Sequence, residues 1–125
     1  MKLNNIHKDN RGFIKTLTGK EIKPYEEITI FETKKGYARG GCIHNKSSEH
    51  ICVLKGEIDF FYTETETQLT MNAGESFTIP CKTPHYFIAL EDSVLLEWGP
   101  RVEEKNEKYQ PFRDKVDSIN ETKDK

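Results

Sequence analysis

Short runs of alternating apolar and polar residues, cut by glycine-, asparagine- and charge-rich turns, fill most of the chain. Such alternation, with a period of two, is the pattern of half-buried β-strands rather than of helices. Phe13 to Leu17 forms the first such run, after the turn Asp9-Asn10-Arg11-Gly12. Glu26 to Thr33 is the second, with Ile28 and Ile30 on one face, and Lys35-Gly36 turns the chain into Tyr37 to His44. Ile51 to Leu54 is apolar on both faces, as expected of a strand covered on both sides. Glu57 to Tyr62 and Gln68 to Met71 predict a hairpin around Glu64-Thr65-Glu66, and Asn72-Ala73-Gly74 leads into Ser76 to Ile79. Tyr86 to Leu90 and Val94 to Trp98, separated by Glu91-Asp92-Ser93, complete the set. About nine short strands with frequent turn signals predict an all-β sandwich or barrel.

The pattern changes beyond Pro100, where the chain becomes charged and repeat-free. The reading is therefore one β-barrel domain over residues 1–100 and a charged, partly disordered C-terminal extension over 101–125. Within that extension Tyr109, Pro111 and Phe112 can dock on the barrel or on a neighbouring subunit, and Asn120 to Lys125 are expected to be mobile. A chain of 125 residues buries about two-thirds of its unfolded surface, enough to fold without a disulfide or structural metal.

Charge and cysteine content narrow the setting. Nineteen basic and 21 acidic residues give a formal net charge of −2, and no basic field recommends nucleic acid or an anionic membrane. No apolar run approaches the ~20 residues of a membrane span. The start, Met1-Lys2-Leu3-Asn4-Asn5, lacks the apolar core of a secretion signal. Three cysteines, Cys42, Cys52 and Cys81, cannot all pair within one chain, so they read as reduced thiols of a cytoplasmic protein.

Candidate chemistry concentrates in two blocks, Cys42-x-His44-x4-Glu49-x6-Gly56 and Gly74-x5-Pro80-x4-His85. Cys42 and His44 are two apart and share a strand face. Glu49 opens the next apolar run, and His85 opens another strand after the Pro80-to-Pro84 turn. Two imidazoles, a carboxylate and a thiol suit a divalent transition metal such as zinc, iron, manganese or nickel, with His44, Glu49 and His85 as ligands and Cys42 as a fourth. The plainer alternatives are a metal-free polar mouth used for binding or acid–base work, and a Cys42 that only fills a tight strand position after Gly40-Gly41. His50, next to Glu49, should point to the opposite face, and Lys82 is either an anion contact or a solvated turn lysine.

These two blocks resemble the paired motifs of the cupin superfamily, over roughly residues 37 to 98. The chain keeps His44, Glu49, Gly56, Gly74, Pro80 and His85 of the usual pattern. It departs at Cys42, where a histidine is usual, and at Lys82, where a glycine is usual. The resemblance implies a single-domain jelly-roll barrel, pairing of chains into a homodimer, and no organic cofactor. The order of Asp9-Asn10-Arg11-Gly12-Phe13, Arg39-Gly40-Gly41 and Leu95-Leu96-Glu97-Trp98 is similar to cupins that act on nucleotide-linked keto sugars: 3,5-epimerases, 3,4-ketoisomerases and the cupin domain of capsular-sugar epimerase-reductases.

That likeness implies proton-transfer isomerisation of a nucleotide-linked 4-keto-6-deoxy sugar. Arg39, with Arg11 or Lys82, would meet the phosphates. His44 or His85 would move the proton, and Tyr37 or Tyr62 would donate from the opposite face. Cys42 stands where these relatives keep their base, and a thiol replaces a histidine poorly unless its pKa is lowered. An iron-dependent oxygenase and a non-catalytic small-molecule-binding cupin are the competing readings.

Overall fold

The computed structural model describes residues 1–22, 27–99 and 107–124. Its elements are β1 (Lys2–Asp9), β2 (Gly12–Thr18), β3 (Ile28–Thr33), β4 (Ala38–Ile43), β5 (Glu49–Lys55), β6 (Glu57–Tyr62), β7 (Thr67–Asn72), β8 (Ser76–Ile79), β9 (His85–Ala89), β10 (Ser93–Trp98), β11 (Glu107–Lys108) and a helix, α1 (Gln110–Asp124). Two antiparallel sheets face each other, with strand orders β1-β2-β3-β10-β5-β8 and β11-β4-β9-β6-β7. This is the all-β jelly-roll expected from the alternating pattern. The Glu26 start of the second run, residues 101–106 and Lys125 lie outside the described residues.

The main core sits between the sheets. Phe31, Ile51, Val53, Ile79 and Leu95 come from one sheet, and Ile58, Phe60, Met71 and Phe87 from the other. Phe60 and Phe61 show the strand alternation at work: the first faces this core and the second stacks on Tyr86 on the outer face. The strand Ile51 to Leu54 departs from its expected two-sided burial. Ile51 and Val53 are buried, whereas Leu54 is 51% exposed because no layer covers the outer face of β5.

Two elements had no apolar signature. β1 is a polar run, Lys-Leu-Asn-Asn-Ile-His-Lys-Asp, held by its hairpin with β2 rather than by burial. The turn between them is closed by the Arg11 amide donating to Asp9 Oδ1 at 2.8 Å. The charged extension forms α1, including the Asn120 to Asp124 stretch expected to be mobile. Its apolar stripe is only Phe112, Val116 and Ile119, spaced at helical intervals. Tyr109 starts the helix, its carbonyl accepting from the Phe112 and Arg113 amides, and Pro111 sits in the first turn where no intrahelical N–H is needed.

The helix covers the outer face of the second sheet. Phe112 and Val116 are buried against Ala38 and Tyr86, a burial contributing about 1.5–3 kcal/mol for each side chain. Asn120 clamps the Ala38 backbone, donating to its carbonyl at 3.0 Å and accepting from its amide at 2.8 Å. Among the described residues no helix is long and apolar enough to cross a membrane.

Gly41 makes this docking geometrically possible. It is the extra residue of a β-bulge in the β4–β9 pairing, where the register passes from Gly40–Tyr86 to Cys42–His85. Its φ is +88°, and a Cβ there would lie 2.6 Å from Arg113 Cδ and 2.9 Å from the Arg113 backbone nitrogen. The bulge also shifts the alternation by one. Arg39 and Cys42, three apart and so on opposite faces of a regular strand, both line the barrel interior.

Gly74 has a similar φ of +91° with nothing within 4 Å of an added Cβ. Gly74→Ala should therefore cost only the backbone strain, about 1–2 kcal/mol in urea denaturation. Gly41→Ala should cost clearly more and should expose the 107–124 segment to limited proteolysis. Equal losses in the two variants, with α1 equally protected, would show that α1 does not depend on this close approach.

Candidate functional site

A cavity of about 320 Å³ lies between the sheets. Ile14, Phe31, Ile51, Phe60 and Phe87 give it apolar walls, and Arg11, Arg39, Cys42, His44, His85, Glu97 and Arg113 supply its polar groups. The volume and the mix of apolar wall with a few convergent polar groups suit a small-molecule site.

The two sequence blocks meet as expected. Glu49 begins β5 and is 1% exposed. His44 follows β4 and presents Nε2 to Glu49 Oε2 at 2.8 Å, and His85 begins β9 and presents Nε2 to Glu49 Oε1 at 2.9 Å. The other His85 ring nitrogen, Nδ1, lies 3.1 Å from the Thr83 carbonyl. A proton on either nitrogen of that ring therefore has an acceptor. Burial alone would raise the Glu49 carboxyl, but hydrogen bonds from His44, His85 and Glu97 outweigh it and hold Glu49 well below the usual carboxylate range.

Glu97 is the carboxyl that sequence reasoning missed. It lies on β10 two residues after the buried Leu95, so strand parity turns it inward, and this parity was the available signal. It keeps some accessible surface because it lines the cavity, yet protein surrounds it. Burial, then the neighbouring Glu49 charge, pushes it well above the ordinary carboxylate range. The pair thus holds one proton, on Glu97. Arg113 was missed because α1 itself was not foreseen. Its Nη1 donates to the Gly40 carbonyl at 2.6 Å, and Nη2 lies 3.3 Å from Asp117.

Arginines supply the cationic part of the lining. Arg39 is 5% exposed. Its Nε donates to Thr33 Oγ1 at 3.0 Å and its Nη2 to the Glu32 carbonyl at 2.9 Å. Its buried Nη1 has no hydrogen-bond partner among the described residues. Burial, helped by the Arg11 charge, lowers its pKa to about 10, so the group stays cationic at neutral pH. Arg11 is held by Asp9 through Nε at 3.0 Å and Nη2 at 2.8 Å.

Other expected residues are placed elsewhere. Tyr37 donates its hydroxyl to Asp124 at 2.7 Å and faces α1. Tyr62 is opposite His85 in the β6–β9 register, but its ring packs on Phe60 and Phe77. Neither tyrosine lines the cavity. Lys82 has a positive φ of 63° and an amide bonded to the His44 carbonyl, and its side chain lines a separate surface cleft with Thr63, Glu64 and Thr83. His50 lies on the outer face as expected, against Thr78 and Trp98.

Cys42 lines the cavity, but burial pushes its thiol up to about 11, leaving it protonated and unsuited to act as a base. As a metal centre the set does not fit as arranged. The Glu49 carboxylate stands between the two imidazoles with one oxygen committed to each ring. Among the described residues no three His, Cys, Asp or Glu side chains converge to hold one ion. The three expected ligands come together as a buried acid–base cluster.

Two antiparallel sheets packed face to face around a polar, histidine-bearing cavity make up the barrel. The Cupin domain family model matches residues 30–98, more than half the chain, and the chain belongs to this family. None of the curated proteins matches it. Among solved structures it is similar to KdgF from Halomonas sp., at 19% identity and a TM-score of 0.60, covering 73% of this chain and 80% of that one. It is similar to the capsular polysaccharide assembling protein CapF from Staphylococcus aureus, at 15% identity and a TM-score of 0.70, covering 85% of this chain but 34% of CapF. An RmlC-like cupin protein from Desulfovibrio desulfuricans aligns at 20% identity and a TM-score of 0.61, covering 76% and 88% of the two chains. At these identities the likeness establishes the fold.

The carboxyl pair makes a pH-dependent prediction. Glu97 holds its proton in the folded chain and releases it in the unfolded chain above about pH 4.3. The folded state then binds more protons, so this group's contribution to stability falls as pH rises towards its raised folded pKa. Glu49 acts in the reverse sense, its contribution lost as pH falls below the same ordinary value. Glu97→Gln, which mimics the protonated carboxyl, should gain stability relative to the parent between pH 5 and pH 8 in urea denaturation. A constant difference across that range would contradict the assignment of the proton to Glu97.

Proposed function

We propose that this cupin is a proton-transfer isomerase or epimerase acting on a keto sugar that carries a phosphate or nucleotide diphosphate, a nucleotide-linked 4-keto-6-deoxyhexose in deoxysugar or polysaccharide synthesis. The observation that carries the reading is Arg39, buried with an unpartnered Nη1, in the same cavity as His44 and His85. A guanidinium with free donors is suited to phosphate oxygens. The similarity to a capsular polysaccharide assembling protein supports a sugar substrate, and the free cysteines fit a reducing, cytoplasmic setting.

In this reading the anionic group meets Arg39, with Arg11 and Arg113 beside it, and the sugar ring lies against Phe60 and Phe87. The imidazole of His44 or His85 takes the proton from the carbon next to the ketone. The C–H electron pair moves into the ring as an enolate, whose oxygen accepts a hydrogen bond from protonated Glu97. Glu49 balances the imidazolium. Return of the proton by that imidazolium to the neighbouring carbon gives the isomeric ketone, and protonation of the original carbon from the opposite face by a solvent water gives the epimer. Glu97 thereby takes the donor role first expected of Tyr37 or Tyr62.

The test is incubation with a panel of 4-keto nucleotide sugars in heavy water. The parent protein should wash deuterium into the sugar. His44→Ala or His85→Ala should stop exchange with binding largely kept. Arg39→Leu should weaken binding at least tenfold while leaving stability equal or higher, because it removes a buried charge that lacks a full set of partners. No exchange and no new product across the panel would leave a binding cupin as the better reading.

The chain is also proposed to pair as a homodimer through β1. This eight-residue edge strand exposes Leu3 and Ile6 beside an open backbone edge. Sedimentation should show a dimer at micromolar concentration, and a monomer would count against pairing.

A further inference from the structure

Two of the arginines lining the barrel cavity have a second face. Arg11 and Arg113 also line a second, outer cleft of about 330 Å³. Its other walls are Asp9 and Asn10 from the β1–β2 turn and Asp117, Asn120 and Asp124 from α1. The two arginines therefore stand as a shared partition with a compartment on each side. The compartments differ in character. The inner one has aromatic and aliphatic walls, whereas the outer one is built from carboxylates, amides and guanidinium groups.

Charge sets what each compartment accepts. Arg11 is already paired with Asp9, and Arg113 lies within reach of Asp117. Three carboxylates in the outer cleft repel a second anion there. Among the described residues, the buried guanidinium nitrogen without a partner is Arg39 Nη1, on the inner side. An anionic group is thus drawn to the partition from within, and what continues outward must be uncharged and rich in hydroxyl groups. Hydroxyls donate to carboxylate oxygens such as Asp117 Oδ and accept from the amide of Asn10.

We propose that the outer cleft between the β1–β2 turn and α1 is a second binding compartment, which takes an uncharged, hydroxyl-bearing group attached to the far side of the ligand's anion. The inference rests on the keto-sugar phosphate reading and extends it by making the C-terminal helix part of the binding site. Arg113 and Asp117 are then specificity residues. The hydroxyl-bearing group has two chemical sources, the ribose of a nucleoside diphosphate or a second sugar esterified to the same phosphate.

Calorimetric titration separates these. Uridine diphosphate is compared with inorganic pyrophosphate, and a diglucosyl phosphodiester, with one glucose on each side of the phosphate, with glucose 1-phosphate. At least one larger probe should bind at least tenfold more tightly than its smaller counterpart, and which one does identifies the source. Asn10→Trp, which fills the cleft from the exposed turn, should abolish that gain while leaving the smaller probe unchanged. Asp117→Ala, at an exposed helix position, should reduce the gain at least threefold, and it keeps the test valid should the tryptophan variant fold poorly.

Equal affinities within each pair, a gain that survives both variants, or no binding of any probe would overturn the outer compartment. Pyrophosphate binding that disappears in Arg39→Leu, without any gain from the larger probes, would remove the outer compartment and leave the barrel reading standing. Deuterium exchange on the same protein reports on that barrel reading independently.

Discussion

The buried Glu49 charge is the constraint around which the site is organised. Its strand, β5, belongs to one sheet, and the two imidazoles that compensate it come from the end of β4 and the start of β9 in the other. A carboxylate at 1% exposure is tolerated only with such partners. The cluster therefore fastens the two sheets at one end of the cavity. Removing one partner of a buried ion pair typically costs about 3–5 kcal/mol, because the other charge is left uncompensated. Burial, with the same charge beside it, keeps the neighbouring Glu97 protonated, so the cluster bears both on how the layers meet and on which carboxyl can donate a proton.

Beside this cluster the controlling feature is backbone geometry. The bulge at Gly41 lets α1 approach β4 and, by shifting the strand alternation, turns Arg39 and Cys42 to the same side. Arg113 then enters the cavity from a helix outside the barrel. Docking of the helix and cationic lining of the cavity are consequences of one inserted glycine.

Most of the barrel was legible because period-two patterning survives wherever a strand has one buried face, as in Glu57 to Tyr62. The meeting of His44, Glu49 and His85 was legible from spacing. The expected mobility of Asn120 to Asp124 came from reading charge as disorder, when three apolar residues on one helix face suffice to dock fifteen residues on a prepared surface. β1 was hidden because an exposed edge strand needs no apolar alternation. Glu97 was legible in principle from its parity with Leu95. Arg113 was not, since its contact with Gly40 spans 73 residues and depends on a helix whose signal is three apolar residues in a charged run. The tyrosines illustrate a different gap: residue type suggested a proton donor, but only the fold shows that Tyr37 turns outward to Asp124.

The unpartnered donor of Arg39 has a consequence for the protein's lifetime. A buried guanidinium lacking one of its partners raises the free energy of the empty folded state. A ligand that supplies the missing acceptor stabilises the native chain by mass action, in proportion to the logarithm of its free concentration over its dissociation constant. The population of unfolded chains exposed to proteolysis then rises when ligand is scarce and falls when it is plentiful. For a protein that binds such a ligand, abundance would then follow the ligand's supply through a single arginine facing an open cavity.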